Sequence, residues 1–255
     1  MDADRKVALV AGALYLLTFI AIGTLTLYTP VLKDPAYILS SGGDTGLRWG
    51  ALIEVIVALA GIGTAITLYP VVRRQNETFA LGFVTSRVIE GAMILTGVVS
   101  LLSLASLHQV GAAAGADSTV LVTSGASFVG TYNAAFLIGQ TLMPATNAVL
   151  LGSLMYRSGL VPRIIPTLGL IGGPLMISSV IGQIIGINEQ ISVWSLIALL
   201  PIFVWELSLG LWLVFKGFKA SAPLMIAAAA RTGTLDGPAT ALPSRTEVTA
   251  KASAA

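Results

Sequence analysis

Phe79 to Leu107 reads FALGFVTSRVIEGAMILTGVVSLLSLASL, and Arg87 and Glu90 are its only ionisable residues. A helix crosses the ~30 Å hydrocarbon core of a bilayer in about 20 residues, so this run is long enough to span. The sequence on either side repeats the theme. Apolar runs cover about Val7 to Tyr28, Trp49 to Val72, about Thr131 to Tyr156, Ile164 to Ile187 and Ser192 to Phe215, which with the first makes six. Their apolar residues cluster, whereas membrane strands show dyad repeats of about ten residues. The expected fold class is all-α: a polytopic helical membrane protein with six transmembrane helices.

Composition narrows the chemistry. Of 255 residues, 55% are hydrophobic and only 10% charged, against roughly 25% charged in a soluble domain. That is too little charge to cover a water-facing surface. The chain has no cysteine, which excludes a disulfide framework, a thiolate metal site and a cysteine nucleophile. Its one histidine, His108, argues against a histidine-based metal centre and falls at the outer interface, where a solvated ring is expected. No cofactor is expected. The net charge of +2 belongs to basic loops and does not indicate nucleic-acid binding. The expected partners are the lipid bilayer, a small-molecule ligand of open identity and, in a homo-oligomer, a second copy of the chain.

The loops orient the spans. Thr29 to Arg48 reads as a polar loop with Pro30, Pro35, Gly42 and Gly43, Gln75 to Thr78 as a short turn, and His108 to Gly130 as a loop of small residues. Arg5, Lys6, Arg73, Arg74, Arg157, Arg163, Lys216 and Lys219 fall on one side, and only Lys33 and Arg48 on the other. Positive charge stays inside, so both termini are expected in the cytoplasm. The first run is longer than a signal-peptide core and lacks a cleavage site, so it is expected to be a retained helix. Residues 1–219 are then a six-helix transmembrane domain. Residues 220–255, rich in Ala, Thr, Ser and Pro, are expected to form a disordered cytoplasmic tail.

Ionisable groups at membrane depth are costly and usually have a purpose. Counting at about 1.5 Å per residue puts Arg87 ~12 Å, Glu90 ~16 Å and Glu206 ~15 Å from the basic side, one level near the midplane. Arg87 and Glu90 are three apart and share a helix face. Glu206 joins them if the third and sixth helices are neighbours. Glu54 lies ~8 Å from the opposite end, on a face of small residues, Ala51, Ala58, Gly61 and Ala65. It points into the bundle or into a vestibule open to the outside. Asn133, Gln140 and Asn147, spaced by seven, form one polar stripe on the fourth span. Pro144 in that span, and Pro166 and Pro174 in the fifth, mark expected breaks.

Several blocks together resemble a known family. Leu52-Ile-Glu-Val55 opens the second span and Leu68-Tyr-Pro-Val-Val-Arg-Arg74 closes it. Gly82-Phe-Val-Thr-Ser-Arg-Val-Ile-Glu90, Tyr156-Arg-Ser-Gly-Leu-Val-Pro-Arg163 and Trp205-Glu-Leu-Ser-Leu-Gly-Leu-Trp212 follow, with Lys216-Gly-Phe218. The chain resembles bacterial membrane proteins grouped as domain of unknown function 4386 over nearly all of residues 5 to 219. The resemblance implies a six-helix inner-membrane protein and no particular activity.

No Walker A, GxSxG or HExxH motif is present, and no enzymatic role is expected. Two readings of the midplane charges stand side by side. They bind or transport a proton, cation or small solute, favoured by the excess of carboxylates over arginine. Alternatively, they hold helices together in a structural or regulatory membrane protein.

Overall fold

Inside a bilayer a backbone N–H or C=O finds no water, and a helix satisfies both within the segment. The computed structural model describes residues 3–115, 117–227 and 230, without the side chains of 112–114. The first span joins α1 (Ala3–Leu17), a 3-10 segment (Thr18–Gly23) and α2 (Thr24–Lys33). The second is α3 (Thr45–Val72) and the third α4 (Glu77–Ala114). The fourth joins α5 (Ser118–Phe136), a π-helical segment (Leu137–Leu142) and α6 (Met143–Ser158). α7 (Ile164–Ile184) and α8 (Val193–Phe215) complete the set. Among the described residues six helices are long and apolar enough to cross a membrane, and the chain is a multi-pass membrane protein.

Successive spans lie side by side. α1 packs on α3, α3 on α4, α4 on α6, α6 on α7, α7 on α8, and α8 returns to α1. The bundle is a ring closed in chain order. Large apolar side chains such as Leu59, Ile66, Val99 and Leu200 face outward, while Ala8, Ala11, Ala58, Ala65, Ala145 and Ala148 are buried. Small residues inside allow close approach where lipid offers no hydrophobic drive to associate. Gly12 faces main chain: a Cβ there would lie 2.8 Å from the Val214 amide nitrogen and 2.9 Å from the Gly210 carbonyl oxygen. Backbone meets backbone at that crossing.

The expected loop from His108 to Gly130 is not a loop. α4 continues to Ala114, Gly115 ends it in the left-handed region at φ 63°, and α5 begins at Ser118. Asp117 starts α5 by accepting from the Thr119 and Val120 amides at 2.8 and 3.2 Å, which hold its carboxyl below the usual range. Alanine and serine, read as loop composition, carry helix here because the hairpin packs on α2 and α3. A 38-residue α4 is about 57 Å long and a 41-residue fourth span about 61 Å, well beyond the ~30 Å core. Their paired ends rise past the hydrocarbon. A cluster of Tyr28, Val31, Leu47, Leu101, Leu104, Ala105 and Tyr132 binds them to the first two spans.

The Thr29–Arg48 loop is likewise shorter than expected, since α2 runs to Lys33 with Pro30 inside it and α3 starts at Thr45. The fifth span is not broken. α7 is continuous through Pro174, held by close neighbours on both sides. A Cβ at Gly173 would lie 2.6 Å from a Val149 methyl, and one at Gly172 2.9 Å from Pro201. Beyond α8, the Lys219 amide donates to the Leu160 carbonyl at 2.9 Å, and Ala222, Leu224 and Met225 pack on the core. The expected tail thus begins as part of the bundle. Its residues 231–255 lie outside the described residues.

Candidate functional site

Arg87 reaches from α4 into the middle of the ring. Its Nη1 donates to both Glu90 oxygens at 3.0 Å, the pairing that three-residue spacing allows. Its Nη2 donates to the Tyr15 hydroxyl at 2.8 Å and lies 3.5 Å from Glu206 Oε1. Asn147 Nδ2 donates to Glu90 Oε2 at 2.6 Å. The guanidinium carbon stands 5.0 Å from the Tyr15 ring centre and 5.8 Å from that of Phe83, within cation–π range. Gly61 leaves room for it along α3: a Cβ there would already be 3.7 Å from Nη1.

The midplane trio is therefore assembled, but by a different route from the one expected. α4 and α8 are not packed neighbours; the arginine crosses the interior, and the Tyr15 hydroxyl, 3.5 Å from Glu206 Oε1, fills the gap. The two carboxylates are held unequally. Glu90 is gripped by Arg87 and Asn147. Glu206 touches Arg87 and Tyr15 only at 3.5 Å, and its side chain is 18% exposed against 3% for Arg87. One guanidinium faces two carboxylates, and Glu206 is the one left loosely bound.

Glu54 belongs to a second cluster. It is fully buried, sealed in the bundle and not in an outward vestibule. Its Oε1 accepts from Gln140 Nε2 at 3.1 Å and from the Tyr132 hydroxyl at 3.3 Å. Tyr28 closes the site with its ring edge-on to Tyr132, centroids 5.4 Å apart. The polar stripe of the fourth span does not survive. The π-helical segment has wider turns than an α-helix, so a seven-residue spacing no longer returns to one face. Gln140 serves Glu54, Asn147 serves Glu90, and Asn133 is exposed, beside a cavity of about 250 Å³ under the Tyr37–Leu39 turn.

Two participants are not among the candidate site residues read from the sequence. Tyr15 lies nine residues past Lys6, about 14 Å along the helix, at the level of Arg87. Depth counting applied to tyrosine as well as to charge finds it. His108 is buried rather than solvated. Its Nδ1 lies 2.9 Å from Asp44 Oδ1 and its Nε2 2.7 Å from the Ser40 carbonyl oxygen. Tyr37, whose hydroxyl is pushed up to about 12 by burial and by Asp44, donates to the same carboxylate at 3.0 Å. No sequence signal tied His108 to Asp44, because they are 64 residues apart.

Both His108 nitrogens face acceptors, so the ring bonds both only as imidazolium. That bridge is present while the ring is protonated and lost as pH rises through its titration. Thermal unfolding is expected to fall over that interval in the native protein and to stay flat across it in His108→Gln. A mutant with the same slope would refute the bridge.

Residues 10–217 match the family model described as Domain of unknown function (DUF4386). No curated protein and no solved structure matches the chain.

Proposed function

We propose, from the premise that the chain belongs to the DUF4386 family, that it binds a small positively charged species at Glu206 within the ring. The species is a proton, a cation or a small cationic solute. The observation that carries this reading is the unequal grip on the two carboxylates. Arg87 and Glu90 neutralise each other at 3.0 Å, while Glu206 is left at 3.5 Å and partly exposed. A carboxylate at membrane depth without a full partner favours neutralisation from outside. Glu206 is bonded to an arginine and a tyrosine, and behind them stand a glutamate and an amide, a set suited to holding charge and not to covalent chemistry. We take the protein to be no enzyme.

We place it in a bacterial cell membrane with both termini cytoplasmic. Supporting this, Arg5 bonds the Leu213 and Val214 carbonyls at 2.8 and 2.6 Å, so the start of the first span and the end of the last share one end. That end carries the eight basic residues of the positive-inside count.

The test is thermal unfolding of the purified protein across pH and a panel of cations and polyamines, beside Glu206→Gln. A ligand at a hundredfold its Kd adds about 2.7 kcal/mol, a rise of several degrees. The expected result is such a rise in the native protein and none in the mutant. A second reading, a static clasp, has its own support in the hydrogen bonds that tie Arg87, Glu90 and Asn147 together. It is the conclusion if nothing shifts the native protein and the mutant is only less stable.

A further inference from the structure

Glu54 has no counterpart to Arg87. Its carboxyl is wholly buried, and among the described residues no lysine, arginine or histidine forms an ion pair with it. Oε1 accepts two hydrogen bonds, but Oε2 has no partner, and neither does the Tyr28 hydroxyl, which faces the same carboxyl. The Tyr28 O–H is thus turned toward a carboxyl that no cation neutralises, in a sealed site. A tyrosine hydroxyl donates a hydrogen bond but brings no positive charge, and isolated buried charge costs far more than a protein of ordinary stability tolerates, so the carboxyl requires a neutralising charge.

The surroundings restrict what that is. The lone pairs turned to the site are all on oxygen: Glu54 Oε2 and the hydroxyl oxygens of Tyr28 and Tyr132. Oxygen ligands suit protons and hard cations. A single carboxylate balances a single charge, whereas divalent ions draw on several carboxylates. The π-helical segment carries Gln140 to the site, and such single wide turns inside α-helices are frequent at functional positions. Pro144 has no N–H for the Gln140 carbonyl four residues before it, which favours the wide turn at this point.

We propose that Glu54, with Tyr28, Tyr132 and Gln140, forms a second binding site, closed and separate from Glu206, that holds one positive charge at Oε2, either a proton or an alkali-metal ion. It does not depend on the reading given for Glu206.

The full-length protein in nanodiscs is compared with Glu54→Gln and Glu206→Gln. The first measurement is the infrared spectrum in H₂O and D₂O at neutral pH. A carboxylic-acid C=O band that is lost in Glu54→Gln and kept in Glu206→Gln identifies the proton. The second is the unfolding midpoint in Li⁺, Na⁺ and K⁺ against choline. A rise of several degrees with one alkali ion, lost in Glu54→Gln and kept in Glu206→Gln, identifies a cation.

Tyr28→Phe, which removes only the hydroxyl facing Oε2, is expected to move the C=O band or to weaken the ion-dependent rise at least severalfold. It also keeps the question open to test if Glu54→Gln does not fold. If neither the acid band nor any ion-dependent rise depends on Glu54, or if Tyr28→Phe leaves both unchanged, the proposal is wrong.

Discussion

Arg87→Met is expected to lower stability by about 3–5 kcal/mol, the cost of removing one partner from a buried ion pair. The loss comes from what remains. Glu90 is 8% exposed and keeps only the Asn147 amide, while Glu206 keeps only the Tyr15 hydroxyl at 3.5 Å. Arg87→Lys is expected to fall between the two, because one ammonium cannot reproduce the planar fork that serves Glu90 and Tyr15 at once. Adding Glu90→Gln to Arg87→Met is expected to recover part of the loss, since the stranded charge is then gone. Equilibrium unfolding of the two single variants and the double variant measures this directly. A double variant no more stable than Arg87→Met would mean that the two side chains are not energetically paired.

Gly12→Val is the second large effect. A Cβ at position 12 meets the Val214 nitrogen, the Gly210 oxygen and the Leu213 Cβ, all within 2.9 Å. Two of those atoms are backbone and cannot rotate away, so α1 and α8 must separate. Overpacking a close crossing costs about 1–3 kcal/mol and sometimes more. The damage extends past stability, because Tyr15 lies one turn further along α1 and Glu206 sits on α8. Separation pulls the Tyr15 hydroxyl from Arg87 and Glu206 together. The variant is therefore expected to lose several degrees of midpoint and also the ligand-dependent rise assigned to Glu206. If it unfolds early yet keeps that rise in full, the crossing does not position the site.

What could be read from the sequence follows from what one dimension carries. Six spans were legible because apolar length is a local property and the bilayer sets its scale. That Arg87, Glu90 and Glu206 share one level of the bundle was legible too, since position along a span is a count from a basic flank. Asn147, one turn or two from that level, could be placed near them for the same reason. The ring order was not legible, and so the path by which Arg87 reaches Glu206 across the interior was missed. The distal hairpin was read as a loop because its Gly, Ser and Thr residues lower helix propensity and its apolar run is short, and packing on neighbours overrides both. The π-helical segment escaped for a subtler reason. A single wide turn leaves composition unchanged and rotates everything beyond it, which separated Asn133 from Gln140 and Asn147.

The Arg87–Glu90 pair lies inside one helix, and that has a consequence for how the chain is made. A solitary arginine at the centre of an inserting helix costs about 2.5–3.5 kcal/mol on the translocon scale. With Glu90 one turn away, α4 enters the bilayer carrying no net charge at its middle. Tyr15 is already there on the first helix to receive Nη2. Asn147 arrives with the next span, and Glu206 comes last, 119 residues after Arg87. In the folded protein Arg87 holds Glu90 and Tyr15 at 3.0 and 2.8 Å and Glu206 only at 3.5 Å. The nascent protein never needs Glu206 to survive insertion, which leaves that one carboxylate at liberty for another use once the last helix has closed the ring.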